Sequence, residues 1–148
     1  MEIKTKTKGT IDVDEKKILE FPEGLVGFEE YKKYALLQSE YDPFLWLQSV
    51  DRQNLAFLLV DPFVICTNYE ADIDDTALKS IDVKNAEDII LMTIVTVPND
   101  GGPITANFLG PLVINKANNR CVQVVLNDNR WTTKFNILES LKRKEKEC

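Results

Sequence analysis

A chain of 148 residues fits a single domain with a core of useful size. Its 44% hydrophobic and 28% charged residues exclude a disordered chain, and its net charge of −6 disfavours nucleic acid and anionic membranes while favouring basic partners. With no histidine, Ser-His-Asp and Cys-His chemistry and the usual zinc sites are excluded.

Most apolar segments are short, rich in β-branched or aromatic residues, and separated by turn residues, which predicts strands. Ile3, Thr5 and Thr7 alternate with Lys4, Lys6 and Lys8 as in a half-exposed edge strand. Ile11 to Val13 and Ile18 to Phe21 flank a polar turn and predict a hairpin. Pro22, Gly24 and Gly27 then break the chain before a single helical turn at Phe28 to Tyr31. Strands are expected at Tyr34 to Gln38, Phe44 to Val50 and Ala56 to Val60, the last stopped by Asp61-Pro62. Val64 to Tyr69 is a further strand candidate. Asp74 is placed to cap one short helix, Asp74 to Ile81, whose Ala77, Leu78 and Ile81 share a face. Strands follow at Ile89 to Val97, Ile104 to Leu109, Leu112 to Asn115 and Cys121 to Leu126, with turns at residues 98–103 and 116–119. Trp131 to Ile137 reads as an edge strand and the charged end as helix or coil. The pattern is all-β, mainly antiparallel: a small barrel-like or sandwich domain with one or two short helices. The domain is expected over residues 1–138, with a charged tail over 139–148.

The three cysteines are odd in number and widely spaced, so no disulfide framework is expected. Cys66 and Cys121 read as buried thiols and Cys148 as an exposed free one. The N-terminus has no apolar stretch of signal-peptide length. The longest near-apolar run, Ile89 to Val97, is far short of the ~20 residues of a membrane span, so a cytoplasmic location is expected. Gly101-Gly102 lacks a phosphate-loop pattern and reads as a turn. Asp72, Asp74 and Asp75 lack the glycine and the remaining ligands of a calcium loop. No metal, nucleotide or other cofactor is expected.

Seven carboxylates, among them Glu70, Asp72, Asp74 and Asp75, and only two lysines fall between Glu70 and Asp88. The cluster reads either as a solubilising face or as a docking patch for a basic partner. Trp46, between alternating apolar residues, is expected in the core, and Phe63, just past a proline, as a partly exposed contact. Trp46, Phe57, Leu59, Ile94 and Val113 are the expected core. Asn107 sits within an apolar run, so its amide is either satisfied by backbone groups or presented at a surface. A carboxylate-dependent enzyme built on Asp61 or Asp128 is a poor alternative, since no matched acid and base stand out. An oligonucleotide-binding barrel would want aromatics on its basic stripe, and the Lys4-Lys6-Lys8 strand has none.

Six segments in order resemble the FliW family of flagellar assembly factors: FPEGLVGFE at 21–29, PFLWLQS at 43–49, AFLLVDPF at 56–63, YEADI at 69–73, IVTV at 94–97 and TANFLGPLVIN at 105–115. The resemblance runs from the first strand to about Leu138. It implies a small non-enzymatic β-barrel with two alternative partners; a folded monomer is expected when free. One is flagellin. The other is CsrA, a small dimeric RNA-binding repressor of flagellin translation, which FliW-like proteins hold off the message until new flagellin displaces it. No direct contact with nucleic acid or membrane is implied. A small acidic interaction module of other specificity is the alternative. For flagellin, Phe63 and Phe108 are expected to line a groove for an amphipathic helix, with Asn107 beside them. For CsrA, the expected contacts are Glu70, Asp72, Asp74 and Asp75.

Overall fold

Apolar runs cut by Gly, Pro, Asn and Asp become strands. The computed structural model describes residues 1–142 and 148. Its elements are β1 (Glu2–Lys4), β2 (Thr10–Asp12), β3 (Leu19–Glu20), β4 (Lys33–Gln38), β5 (Leu45–Ser49), β6 (Ala56–Val60), α1 (Pro62–Ile65), α2 (Asp75–Ser80), β7 (Ile89–Thr96), β8 (Thr105–Ala106), β9 (Leu112–Asn115), β10 (Arg120–Gln123), β11 (Phe135–Asn136) and α3 (Leu138–Lys142). Seven strands close a barrel in the order β7-β6-β5-β4-β3-β10-β9, with β9 returning to β7. Neighbours run antiparallel except β3 and β10, which meet in parallel at Glu20 and Arg120. Closure leaves the ring without an unpaired edge.

β7 is long enough to serve both β8 and β9 on the edge opposite β6. Val95 pairs with Ala106 and Met92 with Leu112. Three residues back on β7 thus correspond to six forward on the other chain, three more than an unbroken ladder allows. The Asn107–Pro111 segment absorbs the slip. There Asn107 Oδ1 accepts from the Gly110 amide at 2.8 Å, and a Cβ on Gly110 would meet that same side chain at 2.9 Å.

Three apolar clusters follow. Phe21, Tyr34, Leu47, Leu59 and Leu112 fill the barrel. Tyr69, Phe108, Trp131 and Ile137 pack the C-terminal chain against its outside. Ile81, Val113 and Val122 join α2 to β9 and β10. Among the described residues no helix is long and apolar enough to cross a membrane.

Several expectations need correcting. β2 pairs with β1 and not with the Ile18–Phe21 segment. Thr5 Oγ1 donates to the Gly9 carbonyl at 2.7 Å and accepts from the Lys8 amide at 2.8 Å, closing a tight turn early. The polar stretch at Glu15–Lys17 is a 3-10 turn capped by Asp14. Val64 to Tyr69 is not a strand. Pro62 opens α1, and Asp61 Oδ1 accepts from the Phe63 amide at 2.9 Å, so cap chemistry overrides the β-branched Val64 and Ile65. Trp46 is half-buried, since it lies on the outer face of β5 while Leu45 and Leu47 turn inward. Of the rest of the expected core, Leu59 and Val113 are buried, while Phe57 and Ile94 are partly buried against the barrel cluster.

Cys66 and Cys148 form a disulfide, so neither is the free thiol expected. Asn68 clamps the same residue, its Nδ2 donating to the Cys148 carbonyl at 2.9 Å and its Oδ1 accepting the Cys148 amide at 2.8 Å. A separation of 82 residues hides this proximity from the sequence. Cys121 stays a buried thiol, pushed up to about 12 by desolvation. The expected tail begins as α3, while residues 143–147 lie outside the described residues.

Candidate protein-binding surface

α2 forms where Asp74 Oδ1 accepts from the Thr76 amide at 3.0 Å, with Asp75 in the first turn and Lys79 in the last. Its Ala77 and Leu78 pack toward Val113 and Val122, so Asp74 and Asp75 stay on the wet face, with Asp72 exposed just ahead of them. The fold thins the rest of the acidic segment. Arg130 comes within 3.5 Å of Glu70, and Arg120 within 3.0 Å of Asp82. Both pairs are exposed and contribute little to stability; Arg120 offsets the charge of Asp82, while Arg130 is held more closely by Asp128, at 2.7 Å, and neutralises Glu70 less. Asp72, Asp74 and Asp75 have no ion-pair partner among the described residues.

Beside them runs a shallow groove of about 290 Å³ between α2 and β10, lined by Glu23, Asp74, Ala77, Val122 and Val125 among others. Gln123 secures the adjoining loop. Its Oε1 accepts from the Val26 amide at 3.0 Å and its Nε2 donates to the Gly110 carbonyl at 3.1 Å. Gly24 makes this possible at φ +71°, where a Cβ would run into the Glu29 backbone. The loop so held presents Val26 at 71% exposure, and Val125 stands 74% exposed two residues past Gln123. Bare apolar side chains beside unpaired carboxylates can meet a partner that offers apolar and basic groups together. Sequence reasoning missed Glu23, Val26 and Val125. The available signal was Val122, Val124 and Val125, a run whose apolar residues fall on both faces of a strand.

The remaining site residues divide. Phe63 is 42% exposed and rests edge-on against Tyr69, which matches the partial exposure expected of it. Asn107 is a turn former through Gly110. Phe108 is a correction: it is fully buried, stacked on Phe135 at 4.5 Å, and cannot line a groove. Its run belongs to the inside of the C-terminal cluster. Glu70 serves the fold through its backbone, whose carbonyl accepts from Trp131 Nε1 at 2.8 Å. The enzymatic candidates are also engaged. Asp61 caps α1, and hydrogen bonds from Arg130 hold the Asp128 carboxyl below its usual range. Among the described residues no group of three or more Cys, Asp or Glu is placed to hold a metal ion.

A family model described as FliW protein matches residues 2–137. The flagellar assembly factor FliW of Treponema denticola is 50% identical over 141 residues, spanning 95% of this chain and 96% of that one. The Bacillus subtilis flagellar assembly factor FliW is 41% identical over 138 residues, spanning 93% and 96%. A crystal structure of a flagellar assembly factor FliW has a TM-score of 0.86 at 38% identity and covers 93% of this chain and 96% of its own. Matches of this length and identity place the chain in the FliW family, a family of non-enzymatic proteins whose curated members are named flagellar assembly factors.

Proposed function

We infer that this chain is a cytoplasmic flagellar assembly factor, a monomer when free, that binds flagellin and CsrA in alternation. Held by this protein, CsrA is kept off the flagellin message. Newly made flagellin takes the protein away and releases CsrA to repress. The observation that carries the CsrA arm is the surface beside α2, where Asp72, Asp74 and Asp75 stand unpaired next to the bare Val26 and Val125. Such a surface attracts the basic residues of an RNA-binding protein and repels RNA phosphates. Phe63 remains available as a further apolar contact.

The test is capture by the immobilised chain, with purified flagellin and CsrA offered singly and then together. The reading expects each to bind alone and added flagellin to release bound CsrA. Capture of neither points to an interaction module of other specificity.

A further inference from the structure

The barrel is filled but not roofed at one end. Along β4, Tyr34 and Leu36 pair with Ser49 and Leu47 of β5, and along β7, Ile90 and Met92 pair with Ile114 and Leu112 of β9. Alternation along a strand therefore turns Leu36 and Ile90 to the same inner face as the core. They lie one step beyond it, 40% and 41% exposed. With Leu19, Leu45, Met92 and Ile114 they line an apolar opening of about 440 Å³. Its charged lining residues are Lys17 and Lys116, and no carboxylate lines it. Neither lysine has an ion-pair partner among the described residues. In a chain with 24 acidic residues this is the reverse of the α2 face.

We propose that this barrel mouth docks an amphipathic helix that presents apolar side chains beside a carboxylate. Below the opening Phe21, Tyr34 and Leu47 are fully buried, which leaves no channel for a long small-molecule ligand. The seat takes the tips of side chains. The ring of strands is closed, so a partner cannot add a strand to it. A helix can offer neighbouring apolar anchors at i and i+3 or i+4. The two lysines then select for a carboxylate on the same helix face.

The proposal deepens the reading above and rests on it, with flagellin as the probe. Ile90→Asp and Leu36→Asp each raise the flagellin dissociation constant about ten-fold or more, as loss of a central apolar anchor does. Lys116→Glu weakens binding several-fold, more at low salt than at high. Lys116 is exposed, so this variant tests the site without disturbing the core. Capture of CsrA stays at the wild-type level in all three, which also shows that they fold. Flagellin affinity within about two-fold of wild type in every mouth variant, on the scale of near-neutral contacts, overturns the proposal. So does loss confined to Phe63→Ala, which places the contact at α1. Self-association of the free chain that disappears in Ile90→Asp identifies a second copy as the occupant and overturns it too. Wild type that ignores flagellin brings down the reading itself, and this proposal with it.

Discussion

Phe63 and Phe108 show how far single residues can be read. Both are aromatic residues beside turn-forming neighbours, yet one is exposed and the other has no accessible surface. Phe108→Ala should destabilise the fold by ~3–5 kcal/mol, the usual cost of emptying an aromatic core site. Phe63→Ala should cost under ~1 kcal/mol, as at a surface. Urea denaturation of the two variants checks the pair. Sequence separated Phe63 correctly because Asp61-Pro62 stops a strand just before it. It misplaced Phe108 because the three-residue slip between β8 and β9 is a tertiary fact. The same limit applies to Trp46, where a strand's alternation was legible but its inner face was not. Buried groups also set the alkaline limit. Desolvation raises the Cys121 thiol from 9.0 to about 12 and the Tyr34 hydroxyl from 10.0 to about 12, and Tyr69 is raised too. Above pH 9 the unfolded chain loses these protons while the folded one keeps them, so stability falls as pH rises toward 12. Urea midpoints should fall steadily across that window, and Cys121→Val should remove the earliest part of the fall.

Among the elements, α2 was legible because its cap, first-turn acid and apolar spacing agree with one another. α1 was not, because β-branched residues and a proline cap point in opposite directions there, and the cap won. The first hairpin was misassigned for a similar reason. A local turn closed by Thr5 and Gly9 pre-empted the one expected further on. The end of the chain makes a direct test. With Cys66 joined to Cys148 and Cys121 buried, protein prepared without reductant should show no reactive thiol when folded and one when denatured. After reduction and denaturation it should show three. One reactive thiol in the folded, unreduced protein would mean that Cys148 is free as the sequence alone suggests.

At the scale of the whole molecule, the fold class was legible from short strands and frequent turns, while the proposed partner surfaces were legible only in part. The acidic segment was visible as charge density. Its thinning by Arg120, and its apolar companions Val26 and Val125, depend on chain crossings that spacing does not encode. The barrel mouth was hidden altogether, since its residues read as ordinary strand interior. The central claim is that the negative charge beside α2 is a located docking surface for CsrA. Stopped-flow association with CsrA tests it, comparing Asp72→Lys/Asp75→Lys with Glu40→Lys/Asp51→Lys. All four positions are exposed and the two variants change net charge equally. The second pair sits in the turns that follow β4 and β5, which lie two and three strands round the ring from β10. A located patch slows association several-fold in the first variant and much less in the second, and the gap narrows as the Debye length shrinks from ~10 Å at 0.1 M salt to ~3 Å at 1 M. Equal association rates for both variants across the salt series would contradict it.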